Sequence, residues 1–172
     1  NKGKRKSENN GAMLKARKPL MSLDLSIKAE LVQDNIPAKV IDNLWIGSVY
    51  SAFNQEALLV RHITHVLNCS SLPSTFPRTF TYLNVTIRDK EDANILSAFE
   101  ATSLFIDKGI VSGGVLVHCA GGKSRSATFI AAYLINKRGI CLTRAMEMIK
   151  NARSVVSINK GFEQQLKAYE AS

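Results

Sequence analysis

The 172-residue chain is poor in cysteine, with Cys69, Cys119 and Cys141 alone, and it has four prolines and one tryptophan. An odd, sparse set of thiols without zinc-ligand spacing excludes a disulfide framework and a structural zinc site; it fits a reducing, cytoplasmic setting. No apolar run approaches the roughly 18 residues of a membrane-spanning helix, so no membrane span is expected. The N-terminus lacks the apolar stretch of a secretory leader. Acidic residues are scarce, 14 against 23 Lys and Arg, for a net charge of +9. That excess is local. Residues 1–18 hold seven basic residues against Glu8 alone, leaving 16 basic and 13 acidic residues in the rest. So mild a surplus gives no ground for a nucleic-acid partner. The sequons at Asn68 and Asn84 lie on apparent strands and read as chance matches.

What is present suits one globular domain: 45% of residues are apolar, and the length allows a real core. Residues 1–20 read as a basic, disordered segment, and 21–172 as the folded domain. "SLDLSIKAELVQDN" has helical spacing and stops at Ile36-Pro37. "AKVIDNLWIG" reads as two strands around Asp42-Asn43, and "NQEALLVRH" as a helix capped by Asn54. "ITHVLNCS" and "TYLNVTI" read as strands flanking a proline-broken loop. Ser97-x-x-Glu100 matches a capping box opening a helix that runs to about Val111. "VLVHC" suits a buried parallel strand. Residues 124–137 read as a buried helix ending at Gly139. Thr143 and Asn159 are expected to cap two more helices. Alternating strands and helices predict an α/β fold, a mainly parallel central sheet with helices on both faces. Its ligand site is expected beyond the carboxyl ends of the strands, where His118-Cys119 lies.

The stretch "VLVHCAGGKSRSATFIAAYLI", residues 115–135, carries the chemistry. "GGKS" resembles the end of a nucleotide-binding P-loop, but that pattern needs glycine where Val117 stands. Read from the cysteine, the spacing is Cys119, five residues, Arg125, Ser126. A loop that turns successive N–H groups inward ahead of a helix forms an anion nest from Ala120, Gly121, Gly122, Lys123, Ser124 and Arg125. Gly121 and Gly122 allow the backbone angles required. The helix dipole and Arg125 should favour a Cys119 thiolate, and Arg125 can grip two phosphate oxygens. His118 would hold the loop and tune the sulfur through hydrogen bonds. The Ser126 hydroxyl would bond that sulfur and ease its departure. A proton donor for the leaving oxygen must come from a nearby loop, and "TIRDKEDANI" offers Asp89, Glu91 and Asp92.

"VHCAGGKSRSATFIAAYL" resembles the HC-x5-R-[ST] signature of cysteine-dependent protein phosphatases, and more narrowly that of the small dual-specificity phosphatases. "NLWIGSVYSAFNQEALLVRHITHVLN" and "SINKGFEQQL" resemble the same family's N-terminal half and closing helix, so the likeness spans roughly Ile36 to Ala168. The resemblance implies a protein-tyrosine-phosphatase-like single domain. It implies hydrolysis of phosphotyrosine and phosphoserine/threonine through a cysteinyl-phosphate, with no metal and no cofactor. It favours Asp89 as the acid, with Asp92 as the fallback, and gives Asn159 a supporting role. Ile158 departs from the family's usual proline there.

The short chain leaves no room for the pocket-deepening loop of phosphotyrosine-only relatives, so the resemblance implies a shallow pocket open to all three phosphoresidues. Lys123, Arg88 and Arg153 are candidates for a basic substrate rim, or else surface charges and structural ion pairs. A phosphoinositide substrate is an alternative, weakened by Ala120 where such enzymes carry a second lysine. A catalytically weak phosphate-binding module is another, opposed by the presence of Cys119, Arg125 and Asp89. Cys69 could pair with Cys119 under oxidation, as in some relatives, or be a small core residue. Lys15, Arg17 and Lys18 followed by Leu20, Met21 and Leu23 resemble docking peptides for mitogen-activated protein kinases, against the plainer reading of a solvated tail. "KGKRK" allows a nuclear signal.

Overall fold

A computed structural model describes residues 34–172. The expected helix before Ile36, the disordered segment and the docking residues Lys15 to Leu23 lie outside the described residues.

Strands β1 (Ala38–Ile41) and β2 (Leu44–Gly47) pair antiparallel. They turn at Asp42-Asn43, where Asn43 takes φ 62°, a left-handed angle that asparagine tolerates. Three further strands, β3 (His65–Asn68), β4 (Thr81–Asn84) and β5 (Val115–His118), complete a five-stranded sheet of order β1-β2-β5-β3-β4. Every pairing beyond the first is parallel, so the sheet is mainly parallel as expected. β5 sits at its centre, which explains a strand apolar at every position before His118.

Alternate side chains on these strands serve two cores. Leu44, Ile46, Leu67, Val115 and Val117 join the larger one. It is completed by four long helices on that face: α3 (Phe99–Ser112), α4 (Arg125–Arg138), α5 (Leu142–Ala152) and α6 (Lys160–Glu170). Val66 and Leu116 point the other way, packing with Ala52 and Leu58 of the short helices α1 (Val49–Phe53) and α2 (Gln55–Val60). Helices therefore cover both faces. α4 is buried without a break from Ser126 to Leu134. Each large apolar side chain sunk this way contributes about 1.5–3 kcal/mol, which anchors the helix that leads out of the cysteine loop.

Three local expectations need correction. β3 and β4 stop at Asn68 and Asn84, short of the predicted strand ends. The Asn68 side chain ends β3, accepting from Ser70 N at 3.0 Å and donating to Leu72 O and Asn84 Oδ1; such local bonds compete with the ladder. The capping box does not form: a 3-10 turn, Leu96–Ala98, precedes α3, and Ser97 bonds Asn94 instead. Ala98 stands at the cap without a side-chain bond. Thr143 falls inside α5, whose first amide, Leu142 N, is satisfied by Glu170 Oε1 at 2.6 Å. Asn54 and Asn159 do cap their helices, accepting from Ala57 N and Phe162 N. Gly139 ends α4 at φ 62°.

Candidate active site

β5 ends at His118, and the chain loops from Cys119 to Ser124 before α4 begins at Arg125. Five consecutive carbonyls of this stretch are held by donors elsewhere. Ala120 O accepts from Val49 N at 3.2 Å, Lys123 O from Ser157 N at 3.1 Å, and Ser124 O from Thr128 N at 2.9 Å. Gly121 O and Gly122 O accept from Nη2 and Nε of Arg153, both at 2.9 Å. Among the described residues, the backbone N–H groups of 120–124 make no hydrogen bond. Free N–H groups beside engaged carbonyls are the signature of an anion nest, here placed ahead of the positive end of α4. Only Gly122 needs glycine's backbone freedom, at φ 62°. A Cβ there would also lie 2.6 Å from Gly47 O. Gly121 has an ordinary φ, which corrects the expectation that both glycines supply unusual angles.

Cys119 is 2% exposed, and its sulfur lies 3.3 Å from Ser126 Oγ. Arg125 Nη1 donates to Cys69 O at 2.9 Å and Ile87 O at 3.3 Å, beyond the ends of β3 and β4. That leaves the Nε–Nη2 edge of the guanidinium, whose Nε is buried without a partner among the described residues. His118 is buried, and burial lowers its pKa to about 4, against a smaller opposing contribution from the Cys119 backbone. Among the described residues its Nδ1 makes no hydrogen bond of good geometry. The backbone of His118 is tied as well, His118 O accepting from Cys69 N at 2.8 Å.

Asp89 reaches the loop from the β4–α3 connection. Its Oδ1 accepts from Ser124 Oγ at 2.9 Å and Asn159 Nδ2 at 2.8 Å. Asn159 thus spends its oxygen capping α6 and its nitrogen on Asp89. Glu91 and Asp92 are exposed, and neither side chain makes a hydrogen bond among the described residues, so Asp89 alone of the three carboxylates is tied to the cysteine loop. Arg88 and Lys123 are exposed and form no ion pair among the described residues. Arg153 is different. Besides the two loop carbonyls it binds Asp34 Oδ1 at 2.6 Å, and its side chain is 11% exposed. This is the structural ion pair, not the substrate rim.

Cys69 follows Asn68, which pairs in register with His118, so Cys69 stands beside Cys119 at the carboxyl edge. Burial, then the neighbouring Cys119, pushes the Cys69 thiol well up. Both cysteines are free thiols. Among the described residues no group of His, Cys, Asp and Glu could hold a metal ion.

Sequence reasoning missed Asp34, which pairs with Arg153, and Gly161 and Gln165, which meet the backbone of the Asp89 loop. Gly161 left one trace, a glycine in the first turn of a helix, where it costs about 1 kcal/mol relative to alanine.

The sequence model described as "Dual specificity phosphatase, catalytic domain" matches residues 44–172. The chain is 43% identical over 141 residues to "Dual specificity protein phosphatase 1" of Arabidopsis thaliana, covering 81% of this chain and 71% of that protein. It is 37% identical to "MAP kinase phosphatase with leucine-rich repeats protein 1" of Dictyostelium discoideum, but covers only 16% of that longer protein. The crystal structure of human DUSP28 superposes with a TM-score of 0.75 at 32% identity, over 78% of this chain and 93% of that one. A mouse putative dual specificity phosphatase, crystallised with zinc tungstate, gives 0.75 at 36% identity, over 78% and 86%.

Proposed function

The chain belongs to the dual-specificity phosphatase family, and from that premise we propose how its residues divide the cleavage of a phosphate monoester. The nest of 120–124 and the free edge of Arg125 bind the phosphoryl oxygens. Cys119 Sγ attacks phosphorus as the thiolate. The S–P bond forms as the bond to the leaving oxygen breaks, and Asp89 donates its proton to that oxygen. With Oδ1 occupied by Ser124 and Asn159, Oδ2 is the atom that carries the proton. In the second step Asp89 takes a proton from water, the water oxygen bonds phosphorus, and the S–P bond breaks. Ser126 Oγ donates to the departing sulfur.

The observation that carries this reading is the row of five carbonyls held outward around Cys119. It is tested by assaying p-nitrophenyl phosphate and a phosphopeptide panel with the wild type and Cys119→Ser. Wild-type release of phosphate from phosphotyrosine and phosphoserine/threonine peptides is expected, with the serine variant inert. Turnover by Cys119→Ser would overturn the reading, and release from phosphoinositides alone would replace its substrate.

Mitogen-activated protein kinases are the proposed phosphoprotein substrates. The names of the Dictyostelium relatives support this, as does the basic-then-apolar order of Lys15 to Leu23. Deleting residues 1–20 should weaken kinase binding, and unchanged affinity would remove that docking role. Exposed Lys123 and Arg88 are the remaining candidates for a rim that favours acidic peptides. The free thiols suit a cytoplasmic or nuclear setting. Under oxidation Cys69 is the partner for Cys119, and thiol mapping after peroxide treatment tests the pairing.

A further inference from the structure

The connection bearing Asp89 has no regular structure between Asn84 and Leu96, and most of it is exposed. Yet it is tied to α6 at three points, beginning with the bond from Asn159 to Asp89. Next, Gly161 lies flat against the backbone of Glu91: a Cβ built at 161 would stand 1.9 Å from Glu91 O and 2.6 Å from its carbonyl carbon. Finally, the Gln165 side chain uses every donor and acceptor it has. Its Oε1 accepts from Ile95 N and Leu96 N, both at 3.0 Å. Its Nε2 donates to Ala93 O at 2.9 Å and Gly161 O at 3.3 Å. One turn of α6 thereby reads the backbone of the loop at 91, 93, 95 and 96.

We propose that Gly161 and Gln165 are positioning residues for the proton donor: α6 sets the height of the Asp89 loop over the cysteine loop, and the two residues act on catalysis only through Asp89. The inference rests on the assignment of Asp89 as general acid. Its physical basis is steric as well as polar. A methyl group at 161 cannot be accommodated unless the Glu91 carbonyl retreats by about 1 Å or more, and misplacement on that scale costs roughly 100-fold in rate. Alanine is the better helix former, so Gly161→Ala should not weaken α6 itself. Any loss then arises from the displaced loop.

The test compares wild type, Asp89→Asn, Gly161→Ala and Gln165→Ala on two substrates. Nitrophenolate leaves p-nitrophenyl phosphate without needing a proton; the alkoxide of a phosphoserine peptide does not. Asp89→Asn should slow the peptide about 100-fold or more and the aryl ester far less. Gly161→Ala should show the same asymmetry at roughly 10- to 100-fold, and Gln165→Ala at a few-fold to about 10-fold. Vanadate should inhibit both variants as it does wild type, because the oxyanion nest is untouched. Equal losses on both substrates, no loss on either, or weakened vanadate inhibition in both variants would overturn the proposal, provided that Asp89→Asn discriminates between the substrates. If Asp89→Asn shows no asymmetry, it is the assignment of the acid that falls.

Discussion

The cysteine loop and the acid loop are both irregular backbone, yet they are held in different ways. Residues 119–124 are short, continuous with a buried strand and a buried helix, and braced carbonyl by carbonyl. The acid loop is longer and largely exposed, and it is fixed at a few points, chiefly by α6 and its cap with single bonds from Ser124 and Arg125. The contrast fits the work proposed for each. An oxyanion is stabilised by several dipoles that must converge and cannot relax. A proton is delivered by one atom, which needs only the right place.

The comparison can be broken most severely at the sulfur. Cys119→Ser should lower turnover by about 10⁴-fold or more, as losing a covalent nucleophile does, while retaining phosphopeptide binding by calorimetry. Asp89→Asn comes next, with the leaving-group asymmetry given above, read from steady-state rates. Arg153→Ala strips the donors from Gly121 O and Gly122 O. Leaving such carbonyls unsatisfied costs about 1–3 kcal/mol, so kcat/KM should fall roughly 10- to 100-fold on good and poor leaving groups alike, with vanadate affinity falling in step. A leaving-group dependence there would erase the distinction between the two loops. Asp34→Asn, which weakens Arg153's anchor, should do the same more mildly, by about 2- to 5-fold.

A last effect falls on stability and not on rate, and it concerns pH. His118 is held down to about 4 by burial, whereas an unfolded histidine titrates near 6.5. Between those values the unfolded chain binds the extra proton, so stability is full above about pH 6.5 and declines as pH falls toward 4. The loss should reach about 3 kcal/mol at most. Urea unfolding at pH 7.5, 5.5 and 4.5 measures it. His118→Asn should flatten the part of the slope that belongs to this residue, and an unchanged slope would assign it to other groups.

The fold was legible wherever periodicity and burial agree. "VLVHC" and the all-apolar run after Ser124 read as central strand and buried helix, and both are, because centrality in the sheet leaves no polar face to hide. Asn54 and Asn159 were readable as caps, since a side chain three residues from its amide needs only local geometry. The local signals that failed did so through competitors, most of them distant. Ser97 gave way to Asn94 and to Gln165, which is 69 residues from Leu96, and Thr143 to Glu170. Arg153 looked equally like a rim charge and a structural one, and only Asp34, 119 residues away, decides it.

From its sequence alone this protein's family was determined: a sulfur, five loop residues, an arginine and a hydroxyl in one unbroken run, where chain connectivity itself sets the distances. What only the tertiary structure decided is how that run is supported and which carboxylate stands against it. Asp89 meets Asn159 across 70 residues and Ser124 across 35, and α6 reaches the acid loop by way of a glycine that no local rule requires. Such meetings depend on strand order and helix placement, which arise from the packing of the whole core and are written in no short stretch of residues.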